Sequence, residues 1–85
     1  MNRHRVTFSD GTVATRTSRT ARYDWAWRIA YRRLGRHHAA HGFSSSEAYA
    51  KGELEKRRQN IGGNCIGAVI TMAEIQPVTI EGGRP

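Results

Sequence analysis

Three histidines and one cysteine are the residues whose chemistry first suggests a metal or reactive site. His37, His38 and His41 form the pattern H-H-x-x-H, which would place His37 and His41 on one face of a helix as two metal ligands. A zinc site needs three or four ligands, and the metalloprotease pattern needs a glutamate where this chain has His38 and two alanines. We therefore expect no bound metal, although Cys65 or Glu47 would supply a further ligand if either lay nearby.

The other reactive residue types argue against an enzyme. Cys65 is the only cysteine and lies in an apolar run, which is typical of a small buried side chain rather than an activated nucleophile. The seven acidic residues form no pair with a spacing recognisable for general acid–base catalysis. The glycine pairs at 62–63 and 82–83 lack the remaining residues of a phosphate-binding loop. We expect no catalytic residue and no cofactor.

Arginine is the residue type that the chain concentrates. The formal net charge is +7, and 12 of the 14 basic residues are arginine. Residues 1–42 hold nine arginines and two acids, whereas residues 43–85 hold five basic and five acidic residues, so the whole excess lies in the first half. The planar guanidinium group suits phosphate and carboxylate. High-GC coding would also favour arginine over lysine, but it would not place the excess in one half.

The candidate binding residues fall between positions 5 and 36. Trp25 lies outside the predicted apolar stripe and between Arg28 and Arg32, and such an aromatic group among cations can stack a base and hold phosphate. The same combination is typical of protein–protein hot spots, and Trp25 would instead be structural if it packs beneath another element. The full predicted set is Arg5, Arg16, Arg19, Arg22, Trp25, Arg28, Arg32, Arg33 and Arg36.

Residues 4–17 predict a β-hairpin that would present two of these arginines. Asp10-Gly11 is typical of a two-residue turn, and that turn places Arg5 opposite Arg16. The two like charges would repel, which an anion or acidic partner would relieve, unless both side chains extend into water. The buried face would hold three apolar residues, Val6, Phe8 and Val13.

Two helices are predicted next. The first spans about residues 20–34 and is followed by Gly35, a residue common just after a helix. Its apolar face would hold Tyr23, Trp27, Ala30 and Leu34. A glycine-bounded link, residues 35–42, leads to a second helix over about residues 45–59, with the capping box Ser44 to Glu47 at its start. Its narrow apolar face would hold Ala50, Leu54 and, just past the end, Ile61, and the run "NIGGN" would end it.

The tail predicts a strand and completes the fold. Residues 68–81 are rich in β-branched side chains, and Pro77 would force a bulge or an edge position. A short helix followed by a strand also fits the apolar spacing there. The predicted fold is one α+β domain, residues 1–85, of ββααβ order, with an antiparallel sheet and two helices packed on one face. The run "CIGAVITMA" is far shorter than the roughly 20 residues that span a bilayer, so we expect no membrane partner.

The stretch "VTFSDGTVATRTSRTARYDWAWR", followed by "GFSSSEA", resembles in layout small uncharacterised proteins of phages and prophages, over roughly residues 5–50. Anti-CRISPR inhibitors from such genomes are similar in size and in lacking enzymatic motifs. The resemblance implies a non-enzymatic inhibitor in the cytoplasm of a bacterial host cell and assigns no residue a role. Many anti-CRISPR proteins are acidic mimics of nucleic acid, and this basic chain departs from that pattern.

Together these features predict a basic binding protein that acts on nucleic acid or on a host nucleoprotein complex. One alternative is a protein inhibitor that docks its arginines on an acidic patch without touching nucleic acid. The other is a homodimeric structural or accessory phage protein joined through its tail strand.

Overall fold

The chain folds mainly into β-sheet. A computed structural model describes residues 1–81, of which 52% lie in strands and 22% in a single helix. The elements are β1 (Asn2–Thr7), β2 (Val13–Ser18), β3 (Trp25–Arg33), β4 (Arg36–Ser44), α1 (Glu47–Asn64), β5 (Val69–Pro77) and β6 (Thr79–Glu81). The predicted ββααβ order with two helices on one face is therefore wrong.

The strands form two antiparallel sheets of three. Sheet A has the order β2-β1-β6, and sheet B has the order β4-β3-β5. The predicted tail strand over residues 68–81 divides between them, because β5 ends at Pro77 and β6 joins sheet A. Pro77 lies on an edge strand, as its missing N–H requires. Between the two strands, the Val78 N–H donates to the Asp24 carbonyl at 2.9 Å.

The predicted first helix and the link after it are wrong, because these residues form the β3–β4 hairpin. One face of β3 carries Trp25, Trp27, Ile29 and Tyr31, and the other carries Ala26, Arg28, Ala30 and Arg32. Both neighbouring strands pair with β3 over nearly its whole length, so strand pairing outweighs the helical spacing. Leu34 and Gly35 have positive φ angles of 53° and 77° and form the two-residue turn.

The predicted β1–β2 hairpin is present, but its turn is one residue longer than expected. The Gly11 N–H donates to the Phe8 carbonyl at 2.9 Å, and the Phe8 N–H donates to the Thr12 carbonyl at 2.8 Å. The loop is therefore Ser9 to Gly11, and Gly11 takes the positive φ of 89° that closes such a loop.

This longer turn shifts the register by one residue, and every side chain of β2 changes face. Arg5 lies opposite Thr15, and Arg16 lies opposite His4, so the predicted opposition of Arg5 and Arg16 is wrong. Ala14 is buried in place of Val13, which is exposed.

Sheet B separates two apolar cores. Val6, Phe8 and Ala14 of sheet A pack on Ala26 with Phe43 and Val78 on one side, and Trp27 and Ile29 pack with Ile61 of α1 on the other. Ala26 and Trp27 belong to different cores because neighbouring strand residues point to opposite faces. The molecule therefore has three layers, in the order sheet A, sheet B and α1.

His4 ties three segments together inside sheet A. The ring is fully buried, and its Nε2 accepts a hydrogen bond from the Tyr23 N–H at 3.0 Å. The neutral ring must then carry its proton on Nδ1, which donates to the Arg16 carbonyl at 3.0 Å. Both ring nitrogens are paired, so His4 joins β1 and β2 to the connection that leads into β3.

The helix predicted over residues 45–59 is present as α1, which begins two residues later and ends five residues later. Ser46, rather than Ser44, is the N-cap, and its hydroxyl accepts from the Tyr49 N–H at 3.2 Å. Gly62 and Gly63 continue the helix instead of ending it. The predicted apolar face, which consists of Ala50, Leu54 and Ile61, is confirmed.

Candidate nucleic-acid interface

The β3–β4 hairpin brings three of the predicted arginines together at one turn. Arg33 pairs with Arg36, Arg32 with His37, and Tyr31 with His38 across the two strands. We call residues 32–38 the basic tip. The tip carries three arginines and two histidines around the two-residue turn, and the segment from Trp25 to Ser46 contains no acidic residue.

Leu34 projects from the turn of the basic tip. Its side chain is 85% exposed, and its φ of 53° is a left-handed conformation that costs a residue with a side chain about 1 kcal/mol. Asparagine or glycine normally occupies this position of a two-residue turn. An exposed leucine held in a strained conformation contributes nothing to the core, which marks the turn as a functional candidate.

The arginines of the basic tip differ in their exposure and in their hydrogen-bond partners. Within residues 1–81, Arg32 and Arg36 form no ion pair, and both are exposed. Arg33 is half-buried, and its Nε donates to the Ile66 carbonyl at 3.1 Å, which fastens the tip to the turn between α1 and β5. Among the described residues, the tip therefore has two guanidinium groups without an ionic partner, on a hairpin that the Arg33 hydrogen bond anchors.

Arg28 belongs to the same strand and the same face as Arg32, but it is already paired. Its Nη1 lies 2.6 Å from the Asp10 carboxylate, and its side chain is only 13% exposed. The backbone N–H and hydroxyl of Thr12 lower the pKa of Asp10 most, desolvation raises it, and the Arg28 guanidinium lowers it further, so the net pKa lies below its usual value. Arg28 is thus a structural residue that fastens the β1–β2 loop to sheet B.

Glu74 of sheet B forms a second set of hydrogen bonds with the same β1–β2 loop. Its Oε1 accepts from the Ser9 N–H at 2.8 Å and from the Ser9 hydroxyl at 2.9 Å, while its other oxygen accepts from the Gln76 amide at 3.0 Å. Burial raises the pKa of Glu74, but these hydrogen bonds outweigh it and the net pKa lies below its usual value.

The remaining predicted arginines lie in sheet A and in the β2–β3 connection. Arg16 stacks over the Tyr23 ring at 4.6 Å, and Arg22 is paired with Asp24 at 2.9 Å, while Arg5 and Arg19 are exposed. Because β3 rises about 3.3 Å per residue, the end where Trp25 lies is about 25 Å from the tip. The predicted set is therefore divided into two groups.

Trp25 is half-buried, and it does not join the arginines as predicted. It shares the α1-facing side of β3 with Trp27, whereas Arg28 and Arg32 point to the opposite side. The prediction that Trp25 lies beside these two arginines depended on helical spacing. In a strand, Trp25 and the arginines lie on opposite faces, so that prediction is wrong.

An aromatic cavity was not predicted. It has a volume of about 350 Å³ and lies beside the start of α1, where Tyr23, Trp27, Phe43 and Tyr49 line it together with Arg16 and Glu53. The sequence signal for it is Gly42, because a Cβ there would lie 2.6 Å from Nε1 of Trp27. A glycine paired across strands with a tryptophan indicates that the indole leans over it.

The histidines lie apart on β4. His37 and His41 are four residues apart on a strand, where that spacing is about 13 Å, and His38 points to the other face and stacks on Tyr31. Within residues 1–81, no three His, Cys, Asp or Glu side chains are grouped closely enough to hold a metal ion. In the same residues, no helix combines the length and the apolar character needed to cross a membrane.

Comparison with protein-family models, with curated proteins and with solved structures finds no significant match for this chain.

Proposed function

We propose that the protein binds nucleic acid through the basic tip. The observation that carries the proposal is the pair of exposed arginines, Arg32 and Arg36, on a hairpin that contains no acidic residue. Guanidinium groups without an acidic partner are free to contact phosphate oxygens in two-point hydrogen bonds. Phosphate contacts of this kind supply most of the affinity of non-specific nucleic-acid binding.

The shape of the tip supports the same function. A two-stranded β-ribbon is narrow enough to enter a groove of a duplex or to lie along a single strand. Leu34 stands at its end between flanking arginines, in the manner of the apolar side chains that nucleic-acid-binding proteins insert beside bases. In this function the arginines hold the backbone and Leu34 contacts the bases.

The biological role that we propose for this binding is inhibition of a host nucleoprotein complex by a phage or prophage protein. It depends on the resemblance in layout to small phage proteins, and it requires the nucleic-acid contact described above. A basic tip would reach the nucleic acid held by such a complex rather than imitate it.

A second candidate function is docking on an acidic protein surface. It is favoured by three exposed apolar side chains around the tip, namely Leu34, Ile66 and Val69. Apolar groups flanked by arginine are common at the centres of protein interfaces. A pull-down from bacterial lysate, repeated after nuclease treatment, distinguishes the two functions, because a protein partner stays bound after the nucleic acid is digested.

Direct titration tests the first proposal. We expect a labelled 20-nucleotide strand to bind at 50 mM salt, and the affinity to fall roughly 10- to 50-fold by 200 mM because about three phosphate contacts are lost to competing cations. Fluorescence anisotropy measures both values. Absence of binding to single-stranded and duplex DNA and RNA at 50 mM salt would reject the proposal.

A further inference from the structure

The aromatic cavity has an unpaired hydrogen-bond donor in its wall. Trp27 is 5% exposed, and the Nε1 edge of its indole lies over Gly42, which also lines the cavity. None of the hydrogen bonds among residues 1–81 uses this indole N–H. Buried tryptophan N–H groups usually have an acceptor, so this one indicates that a ligand atom completes the site.

Two of the aromatic rings at the cavity already contact arginines. The Arg16 guanidinium lies 4.6 Å from the centre of the Tyr23 ring, and Arg57 lies 5.8 Å from that of the Trp27 ring. Two of the aromatic faces are therefore already in contact with cations and are not open to a methylated ammonium group. A flat, uncharged ring attached to an anion fits these surroundings.

The polar groups of the cavity match the edge of such a ring. The buried Trp27 N–H needs an acceptor, and the exposed Glu53 carboxylate, which also lines the cavity, can accept from a donor. An aliphatic side chain would leave the Trp27 N–H unpaired, whereas a nucleobase carries ring acceptors and, in most bases, an exocyclic amine or ring N–H. Tyr49, which is 67% exposed, offers a face on which the base can stack.

We propose that the aromatic cavity binds one unstacked nucleobase of a nucleic-acid strand, with Arg16 beside the neighbouring phosphate. The proposal rests on the function assigned to the basic tip and narrows its substrate to single-stranded or locally unpaired nucleic acid. A base inside a duplex cannot enter the cavity without leaving the stack. The cavity and the tip lie at opposite ends of β3, so a strand of several nucleotides would contact both.

The test compares two strands of equal charge. A labelled ten-nucleotide dT strand and a ten-unit abasic phosphodiester carry the same backbone, and only the first carries bases. We expect the wild-type protein to prefer dT roughly tenfold, because stacking of a base on an aromatic side chain contributes about that much. Tyr49→Ala should remove most of this preference, and Tyr49→Phe, the matched control, should keep it.

Tyr49 is exposed on α1, so its substitution preserves the fold, which circular dichroism verifies. Equal binding of dT and abasic strands by the wild type, with the salt dependence intact, would overturn the base site and leave the basic tip supported. No binding of either strand at low salt would reject the function of the tip and the base site together.

Fluorescence gives a second measurement that does not depend on Tyr49. In Trp25→Phe, Trp27 is the only tryptophan, and we expect saturating dT to quench its emission while the abasic strand at saturation leaves it unchanged. Unchanged emission with saturating dT would contradict the base site.

Discussion

Arginines in two regions of sheet B differ in burial and in pairing. In the covered region, where sheet A lies over the first half of β3, Arg28 is nearly buried and paired with Asp10. In the basic tip, on the same strand and the same face, Arg32 is exposed and forms no ion pair among residues 1–81. Four residues of sequence separate the paired Arg28 from the unpaired Arg32, which we propose binds nucleic acid, and what differs is whether another layer supplies a carboxylate.

The covered region depends most strongly on His4, and its removal should have the largest effect on stability. We expect His4→Ala to lower the free energy of unfolding by about 3 kcal/mol, since it opens a cavity and leaves the Tyr23 N–H and the Arg16 carbonyl unpaired. Urea denaturation measures this loss. Arg3→Ala, on the exposed face of β1, is the control and should change stability by less than about 0.5 kcal/mol.

A loss in the free energy of unfolding of less than about 1 kcal/mol for His4→Ala would contradict the structural importance of His4 in the covered region.

Two glycine substitutions should shift stability in opposite directions. Gly42→Ala puts a Cβ 2.6 Å from the Trp27 ring, and we expect a loss of about 2 kcal/mol from overpacking. Gly52→Ala, in α1, meets no atom within 4 Å and should gain about 0.5 to 1 kcal/mol from its higher helix propensity. Thermal melts of the two variants measure both changes, and a shift in the same direction would contradict the packing of Trp27 on Gly42.

Acid should lower the free energy of unfolding, by less than the substitutions above. The folded-state pKa values of Asp10 and Glu74 lie below their usual values, so both carboxylates stabilise the fold above about pH 4. That contribution is lost as the pH falls through the lower folded-state values. Urea midpoints measured from pH 6 to pH 3 should decrease, and Asp10→Asn should flatten the decrease. A wild-type midpoint that is constant over this range would contradict the prediction.

The basic tip should gain stability from a change that weakens its function. Leu34→Asn suits the left-handed position of the turn, and we expect a gain of about 1 kcal/mol in the free energy of unfolding. The same variant should bind nucleic acid more weakly because it lacks the apolar side chain. Urea denaturation and anisotropy measure the two effects, and a loss of stability would show that Leu34 packs against the protein instead.

Some local features were predictable because their signals lie within a few residues. The turn at Asp10-Gly11 and the apolar face of α1 follow from short-range patterns, and both are present. The register of β1 and β2 did not follow, because the same Asp-Gly pair fits a two-residue or a three-residue loop.

The β3 strand was wrongly predicted as a helix although its sequence carries a strand signal. Trp25, Trp27, Ile29 and Tyr31 alternate with a spacing of 2, whereas the helical spacing of 3.6 leaves Trp25 outside the apolar face. Its pairing partners did not follow from the local sequence, because β5 lies some 40 residues away. The aromatic cavity likewise combines residues from β2 to α1, which come together only in the folded chain.

The salt dependence of binding tests the difference between the two regions most directly. Two double variants each remove two exposed positive charges. The first pair, Arg32→Gln/Arg36→Gln, removes them from the basic tip. The second pair, Arg5→Gln/Arg19→Gln, removes them from sheet A and the β2–β3 connection. For a labelled 20-nucleotide single strand, we expect the first pair to reduce the slope of log affinity against log salt by about 1.4 and the second to leave it almost unchanged. Equal reductions would show a diffuse electrostatic attraction, and an unchanged slope in the first pair would contradict binding at the basic tip.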